Sequence, residues 1–437
     1  MNEGERPTAK AATPGPVALA LGGLVALASA IGVGRFVYTP ILPAMAEALG
    51  LSQAEAGLIA SANFVGYLVG ALLAAAPRLP GSRRDWLLGA LALGAATTGA
   101  MGLVSSLPAF LALRGIGGAA SAFAFVFASA LVLDRLAHAG RGDLSTLHFA
   151  GVGIGIALSA ALVSAFQTAG AGWRTLWLAS GLASLIAPAA VALLVPGGEP
   201  PRARIEPPPG AGGGASGHGF AALALAYGLF GFGYVVTATF LVAIVRAAPA
   251  LRPVEPLVWA VVGVTAAPSV ALWTRLGIRL GVARAFATAC LVEATGVAAS
   301  VLWPTAAGAL LAAALLGGTF MGLTALGLAG GRRLAPGGDP RRALGLLTAA
   351  FGAGQIVGPA LAGVLHDRAG GFVLPSLLAA GALLAAAVTA VGLRLPATAV
   401  DGVRAPSRGE EGGAVGGLEA AERRRPKAQP RLPGRSG

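Results

Sequence analysis

Charged side chains are scarce in this sequence. They make up 11% of its 437 residues, whereas soluble domains carry about 25%. Hydrophobic residues reach 56%, and glycine adds a further 67 positions. A soluble fold of this size has no means of burying so much apolar surface, and a disordered chain requires low hydrophobicity. The composition therefore indicates an integral membrane protein built from α-helices.

Cysteine and histidine are also nearly absent. The one cysteine, Cys290, lies in an apolar run, so no disulfide within the chain is expected. No CxxC or HExxH pattern occurs, and the four histidines lie in four separate regions: His138, His148, His218 and His366. We therefore expect no metal and no cofactor.

Twelve apolar stretches are long enough to cross a bilayer, which takes about 20 residues per helix. A stretch rich in Pro and Gly, 196–219, separates the sixth from the seventh. We therefore predict an all-α membrane protein with two six-helix bundles, 17–195 and 220–395. They are joined by a cytoplasmic linker, 196–219, and flanked by a polar tail at 1–16 and a disordered tail at 396–437. The predicted spans are 17–45, 54–77, 86–106, 108–133, 144–168, 173–195, 220–245, 254–274, 285–303, 305–331, 343–366 and 370–393.

The net charge of +13 is explained by this topology. With the N-terminus inside, 25 of the 31 Lys and Arg residues fall in cytoplasmic segments, as the positive-inside rule requires. We therefore expect both termini in the cytoplasm and membrane lipid around the chain, and no nucleic-acid partner.

Two arginines lie within predicted spans, where a charge costs about 2.5–3.5 kcal/mol on insertion scales. Arg35 in span 1 either faces a central cavity as a cation or extends to the outer headgroups. Arg114 in span 4 is followed by three glycines within four residues. It either has a functional role or bonds to a carbonyl of another helix. Both suggest a small anionic or zwitterionic solute.

Other polar residues share these spans. Asn63 in span 2 either binds solute or ties span 2 to another helix. The remaining candidates for solute binding or gating are Tyr38, Tyr67, Tyr234, Thr239 and Gln355.

For proton coupling the candidates are Arg114, His148 and Glu293. His148 has the titration range of a proton relay, although a lone histidine there is more often structural. Glu293 is the one carboxylate deep within a predicted span, and an enclosed carboxyl group is a natural proton carrier.

Several motifs resemble the major facilitator superfamily, and more narrowly its YbfB/YjiJ-type permeases. Arg114-x-x-x-Gly118 is similar to the span 4 motif that this superfamily links with proton coupling. The narrower resemblance rests on GRFVYTPILP at 34–43, SANFVGYLVG at 61–70, GFGY at 231–234 with ATFL at 238–241, GGTF at 317–320 and FGAGQ at 351–355.

This resemblance implies a permease of the bacterial inner membrane that takes up or exports a small solute, is proton-coupled and functions as a monomer. It also places spans 3, 6, 9 and 12 outside the cavity, which weakens Glu293 as a coupling residue. One departure matters, because the loop between spans 2 and 3 lacks the acidic residue of the superfamily motif. We therefore expect no charge-based lock in that loop.

Two other classes of membrane protein are alternatives to a permease. An intramembrane enzyme requires a nucleophile with its base, or a metal cluster, at membrane depth, and the sequence supplies neither, so we expect no enzymatic activity. A non-transporting membrane sensor would have a similar composition. A sensor usually carries an ordered soluble output domain, and the polar tails of this chain do not resemble one.

Overall fold

The computed structural model describes residues 14–76, 79–198, 217–335 and 340–393. It confirms the twelve predicted spans, and the described residues contain no strand. The predicted C-terminal tail, most of the linker and most of the N-terminal tail lie outside the described residues. The spans, numbered 1 to 12, are Pro16–Leu49, Gln53–Ala74, Arg83–Leu103, Leu107–His138, Gly142–Thr168, Trp173–Leu194, His218–Ala247, Pro249–Leu280, Val282–Leu302, Ala306–Arg333, Arg342–Ala369 and Val373–Val391.

Because the spans alternate in direction, the bundle has two distinct ends. We call the end that carries residues 195–198 and 217–218 the linker end, and the opposite end the distal end. Spans 1–6 form the N-terminal half and spans 7–12 form the C-terminal half.

Equivalent helices of the two halves pack closely through glycine. In the N-terminal half, Gly151 and Gly155 of span 5 lie against the backbone of span 1. In the C-terminal half, Gly354 of span 11 lies against the backbone of span 7 at Gly228 and Phe232. Small residues let helix backbones approach without side chains between them. Span 5 therefore packs on span 1 in the same manner as span 11 packs on span 7.

Span 1 is not one continuous helix. An α-helix, Pro16–Leu27, leads into a π-helical turn, Ala28–Val33, and a new α-helix begins at Tyr38 and ends at Leu49. Pro40 lies in the first turn of that new helix, where its missing N–H is tolerated. The break falls at 34–37, and π-helical turns of this kind are frequent at functional sites.

At the linker end, arginines bond to carbonyl groups. The Arg84 guanidinium donates to the carbonyls of Ala192 and Val195, at 2.5 and 2.9 Å, and Arg135 donates to the carbonyl of Gly198 at 2.6 Å. The last carbonyls of a helix lack partners within the helix and carry partial negative charge. These arginines therefore cap the C-terminal end of span 6.

The two halves contact one another toward the distal end. The Thr39 hydroxyl donates to the carbonyl of Ala238 at 2.6 Å. The backbone N–H groups of Gln53 and Ala54 donate to the Asp367 carboxylate, at 3.2 and 2.9 Å. We call these five residues the distal gate, and it is closed in this conformation.

Glycines let the halves approach further along the same helices. Gly57 of span 2 lies so close to Pro359 of span 11 that a Cβ there would overlap the Pro359 carbonyl. Gly153 of span 5 and Gly263 of span 8 pack backbone to backbone in the same manner. The halves are therefore held together at these two crossings by direct helix contact.

Candidate functional site

Arg35 lies in the break of span 1 and is only 7% exposed. Its guanidinium carbon lies 3.9 Å from the ring centroid of Tyr67 and 5.4 Å from that of Phe64. Its Nη2 makes a long hydrogen bond to Ser121 Oγ, at 3.5 Å. A guanidinium has five N–H donors, so most of its donor capacity is available to a ligand.

Arg114 is buried beside Arg35 and has a different role. Its Nη1 and Nη2 donate to the carbonyls of Gly34 and Arg35, both at 3.1 Å. These carbonyls lie at the break in span 1. Arg114 therefore holds the break in place and with it the position of Arg35. Of the two interpretations of Arg114, the structure shows the one in which it donates hydrogen bonds to carbonyl groups of another helix.

Two further candidates support the same arrangement. The Asn63 amide Nδ2 donates to the carbonyl of Arg114 at 3.0 Å, so Asn63 ties span 2 to span 4. The Tyr38 hydroxyl donates to the carbonyl of Ala56 at 2.8 Å, and the Arg114 guanidinium carbon lies 5.0 Å from the Tyr38 ring centroid. Both residues position the arginines.

The C-terminal half contributes aromatic rings to the same region. Tyr234 of span 7 stacks on Phe320 and on Phe351, with centroids 5.7 and 5.8 Å apart. Tyr227 stacks on Phe351 at 4.8 Å. Phe36, which follows Arg35 in span 1, lies 5.8 Å from Phe320, so this stack adjoins the break of span 1 across the interface between the halves.

All four tyrosines of the chain belong to this centre. Tyr38 and Tyr67 lie against the two arginines. Tyr227 and Tyr234 both stack on Phe351. Two of the phenolic groups therefore lie against the buried cations, and the other two lie in the aromatic stack of the C-terminal half.

Gln355 and Thr239 complete the predicted set. Gln355 is 1% exposed, and its amide Nε2 donates a short hydrogen bond to the Tyr234 hydroxyl. Thr239 is buried next to Ala238, whose carbonyl accepts the hydrogen bond from the Thr39 hydroxyl in the distal gate. Gln355 thus joins the centre, whereas Thr239 belongs to the gate region.

The two remaining proton candidates lie apart from the arginines. Glu293 is fully buried, and its nearest polar neighbour is the Thr319 hydroxyl, which donates to the Leu315 carbonyl at 2.6 Å. His148 is fully buried in the N-terminal half, with Nε2 3.3 Å from Ser129 Oγ and the ring against Gly23. No contact in the described part of the chain joins His148 to the centre.

The charge at this site is positive and uncompensated. No carboxylate in the described ranges forms an ion pair with Arg35 or Arg114, and the two guanidinium groups lie within electrostatic range of each other. A buried charge without a counter-ion is costly. The arrangement is therefore able to bind an anionic group.

Sequence reasoning missed two features. The first is Asp367, whose carboxylate holds the distal gate closed by accepting hydrogen bonds from span 2. It follows directly after the predicted end of span 11, in a His-Asp-Arg run. Its partner is a helix start on the other half, and no sequence pattern indicates that pairing. Phe36 is not among the predicted site residues, yet it crosses to Phe320 at 5.8 Å and Trp259 at 6.2 Å.

Solved structures with the same fold are transporters. The crystal structure of a point mutant of the nucleoside transporter NupG matches with a TM-score of 0.69 and 14% identity, covering 86% of this chain and 99% of that chain. A bacterial homologue of the human lysosomal transporter Spinster, inward-facing and unoccupied, matches with a TM-score of 0.57 and 16% identity. That match covers 89% of this chain and 95% of the homologue. At these identities the likeness concerns the fold alone.

No curated protein matches the chain. A sequence model described as "Uncharacterised MFS-type transporter YbfB" matches residues 27–391, a range that includes every residue of the centre. The twelve-helix architecture agrees with that assignment. The chain therefore belongs to the YbfB-type family of major facilitator superfamily transporters.

Proposed function

We propose that this protein is a secondary transporter of a small anionic or zwitterionic solute. The observation that carries this proposal is the buried Arg35 guanidinium, which stacks on Tyr67 and has no carboxylate partner in the described ranges. Guanidinium groups bind carboxylates and phosphates through two parallel hydrogen bonds. The anionic group of the solute would bind there.

We assign the rest of the solute site to the interface between the halves beside Phe36, the residue that follows Arg35. A small apolar pocket between the halves is lined by Phe36 and Ile156 on one side and by Tyr234, Trp259 and Phe320 on the other. Because both halves contribute, a solute held at Arg35 would contact both. This is what coupling of solute binding to relative motion of the halves requires.

Alternating access is the proposed mechanism. The distal gate is closed here by the Asp367 carboxylate and the Thr39 hydroxyl. Opening would separate Asp367 from the first turn of span 2, and the halves would rock about the central site. We also propose proton coupling, an inner-membrane location and cytoplasmic termini, the last supported by the distribution of Lys and Arg.

A ligand screen on the purified protein tests the proposal. Solutes that bind the folded state raise the unfolding temperature by mass action. Small carboxylates, phosphates and amino acids would be screened against wild type and Arg35→Ala. We expect stabilisation of wild type by an anionic or zwitterionic solute, and loss of that stabilisation in Arg35→Ala.

Arg174→Ala is the matched control. Arg174 also lies over an aromatic ring, with its guanidinium carbon 4.7 Å from the Trp173 centroid, but it bonds to Gly102 and Ser105 at the distal end. It should bind solute like wild type. If Arg35→Ala binds and transports the same solute as well as wild type does, the anion site is not at Arg35.

A further inference from the structure

We propose that the pocket between the halves binds the ring of an aromatic carboxylate, and that the Trp259 indole N–H recognises an acceptor oxygen on that ring. This inference rests on the proposed transport function and names the class of its solute. The carrying observation concerns Trp259, a residue of the pocket wall. It is 1% exposed, and its Nε1 has no hydrogen-bond partner among the described residues.

The pocket lies directly against the distal gate. Ala238, whose carbonyl accepts the hydrogen bond from the Thr39 hydroxyl, is also part of the pocket wall. Phe36 forms the wall on the side of the N-terminal half, three residues before Thr39. It directly follows Arg35, and consecutive Cα atoms are about 3.8 Å apart. A solute that enters through the opened gate therefore reaches this pocket beside the residue that carries the cation.

Aromatic rings from both halves form the wall. Phe36 lies edge-on to Phe320, with centroids 5.8 Å apart, and its centroid is 6.2 Å from that of Trp259. Phe320 is in turn parallel to Tyr234 within 6°, at 5.7 Å. Aromatic rings attract a further ring by offset stacking and by edge contacts, beyond the area that it buries. The wall therefore favours a planar aromatic solute over an aliphatic one.

Polar solute groups find few partners in this pocket. Apart from Trp259 and Tyr234, the residues that line it are apolar: Phe36, Ile156, Ala238, Val262, Leu316 and Phe320. The Tyr234 hydroxyl already accepts from the Gln355 amide. Because a polar group buried without a partner costs free energy, a solute with several hydroxyl groups would bind poorly. The pocket therefore selects a ring with few polar substituents.

Trp259 supplies the exception to this apolar lining. An indole N–H is a donor only, and the side chains around it leave it unpaired. Trp273, in the same span, donates to the Gly318 carbonyl at 2.7 Å. Glu255, one turn before Trp259, is engaged by the Arg246 guanidinium. An oxygen on the solute ring would supply the acceptor that Trp259 lacks, and would remove the penalty of a buried unpaired donor.

Two contacts therefore define the solute class. The carboxylate is a group that the Arg35 guanidinium binds through two parallel hydrogen bonds. The second group is an acceptor oxygen on the ring, such as that of a methoxy, keto or hydroxyl substituent, which accepts from Trp259. We assign the site to benzoate-type anions that carry one such oxygen.

Pairs of substituted benzoates test this inference on the purified full-length protein. A methoxy and an ethyl group have nearly the same shape, but only the methoxy group contains an acceptor. Calorimetric titration would compare the ortho, meta and para methoxybenzoates with the matching ethylbenzoates, with acetate as the aliphatic reference. We expect benzoates to bind more tightly than acetate. At least one methoxy isomer should bind about three- to tenfold more tightly than its ethyl partner.

Two tryptophan variants assign that preference to a residue. Trp259→Phe removes the donor and keeps a ring, so it should bind the methoxy and ethyl isomers with equal affinity. Trp177→Phe is the matched control. Trp177 is also fully buried, and its Nε1 has no partner among the described residues, but its ring lies 6.3 Å from that of Tyr38 in the N-terminal half. This control variant should keep the preference for the methoxy isomer.

Wild type alone is sufficient to contradict the inference, so the test does not depend on the folding of Trp259→Phe. Equal affinity within all three methoxy and ethyl pairs overturns it, and so does the lack of any preference for benzoates over acetate. A methoxy preference that persists in Trp259→Phe, or that is lost in Trp177→Phe, also overturns it.

These outcomes are distinct from those of the proposed function. If acetate and the benzoates bind with equal affinity and all are lost in Arg35→Ala, the anion site stands and the aromatic pocket is excluded. If a methoxy preference requires Trp259 but binding is unaffected in Arg35→Ala, the pocket stands and the anion site is contradicted.

Discussion

The two halves of the bundle share a packing plan but carry opposite chemistry. Among the described residues, the N-terminal half buries two arginines, Arg35 and Arg114, whereas the C-terminal half buries one carboxyl group, Glu293. Gly32-Val-Gly34 precedes Arg35 in span 1, and Gly231-Phe-Gly233 precedes Tyr234 in span 7, so Arg35 corresponds to Tyr234. The comparison shows that equivalent positions have diverged, with a cation in one half and a phenol within an aromatic stack in the other.

The largest effect is expected from Arg114→Met, which tests whether the N-terminal half depends on its second cation. The change removes two donors from the carbonyls of Gly34 and Arg35. Each unsatisfied buried carbonyl costs about 1–3 kcal/mol, so we expect a lower unfolding temperature and loss of solute binding. Thermal unfolding in detergent measures the first effect and the ligand screen measures the second. Unchanged stability would mean that the break in span 1 keeps its conformation without the hydrogen bonds from Arg114.

The second-largest effect is expected when the two equivalent positions, Arg35 and Tyr234, are each substituted. Arg35→Gln should weaken solute binding about 10- to 100-fold, because a charge-assisted contact contributes about 1.5–3 kcal/mol. Tyr234→Phe keeps the stack on Phe320 and Phe351 and removes only the hydroxyl that accepts from Gln355, so it should weaken solute binding less than Arg35→Gln does. Binding and proteoliposome uptake under an imposed pH gradient separate the two. Equal losses in both variants would break the assignment of separate roles.

A smaller effect concerns how the halves meet. A methyl group at Gly57 would overlap the Pro359 carbonyl, so Gly57→Ala should favour opening of the distal gate. Ser61 is buried at the same crossing, with its hydroxyl 2.7 Å from the Ile356 carbonyl. In a Ser61→Cys background, Gly57→Ala should raise the rate of labelling by a water-soluble maleimide, by about tenfold for each 1.4 kcal/mol of shift.

Gly381 provides the control for that measurement. It lies in span 12 with no neighbouring atom within 4 Å of an added Cβ, so Gly381→Ala should leave the labelling rate unchanged. If both alanine variants label alike, direct contact at Gly57 does not hold the gate closed.

The smallest effect is expected at Tyr67. Tyr67→Phe retains a ring beneath the Arg35 guanidinium and should bind solute almost as well as wild type. Tyr67→Leu removes the ring, which contributes about 0.5–2 kcal/mol to holding the cation. Titration of the solute identified in the screen would distinguish the two variants. A Phe variant as weak as the Leu variant would show that the hydroxyl, rather than the ring, contacts solute.

The sequence predicted the twelve spans well because hydrophobicity and length determine them. It also singled out Arg35, Arg114 and Asn63, since polar groups at membrane depth are conspicuous. It did not separate their roles: Arg114 and Asn63 bind backbone carbonyls of neighbouring helices, and only the fold shows which carbonyls the break in span 1 leaves available. The hydrogen bonds from Gln53 and Ala54 to Asp367 were not predictable, because these two residues are separated from Asp367 by 314 and 313 positions along the chain.

The four tyrosines have a practical consequence. Tyr38, Tyr67, Tyr227 and Tyr234 are the full set in this chain. Because they lie against the buried cations or in the neighbouring aromatic stack, isotopic or fluorine labelling of tyrosine would place nuclear magnetic resonance probes only in this centre. Each resonance could be assigned by a single Tyr→Phe variant. The chemical shifts of these four residues would respond to a bound solute, to a proton or to a change of conformation, even before the solute has been identified.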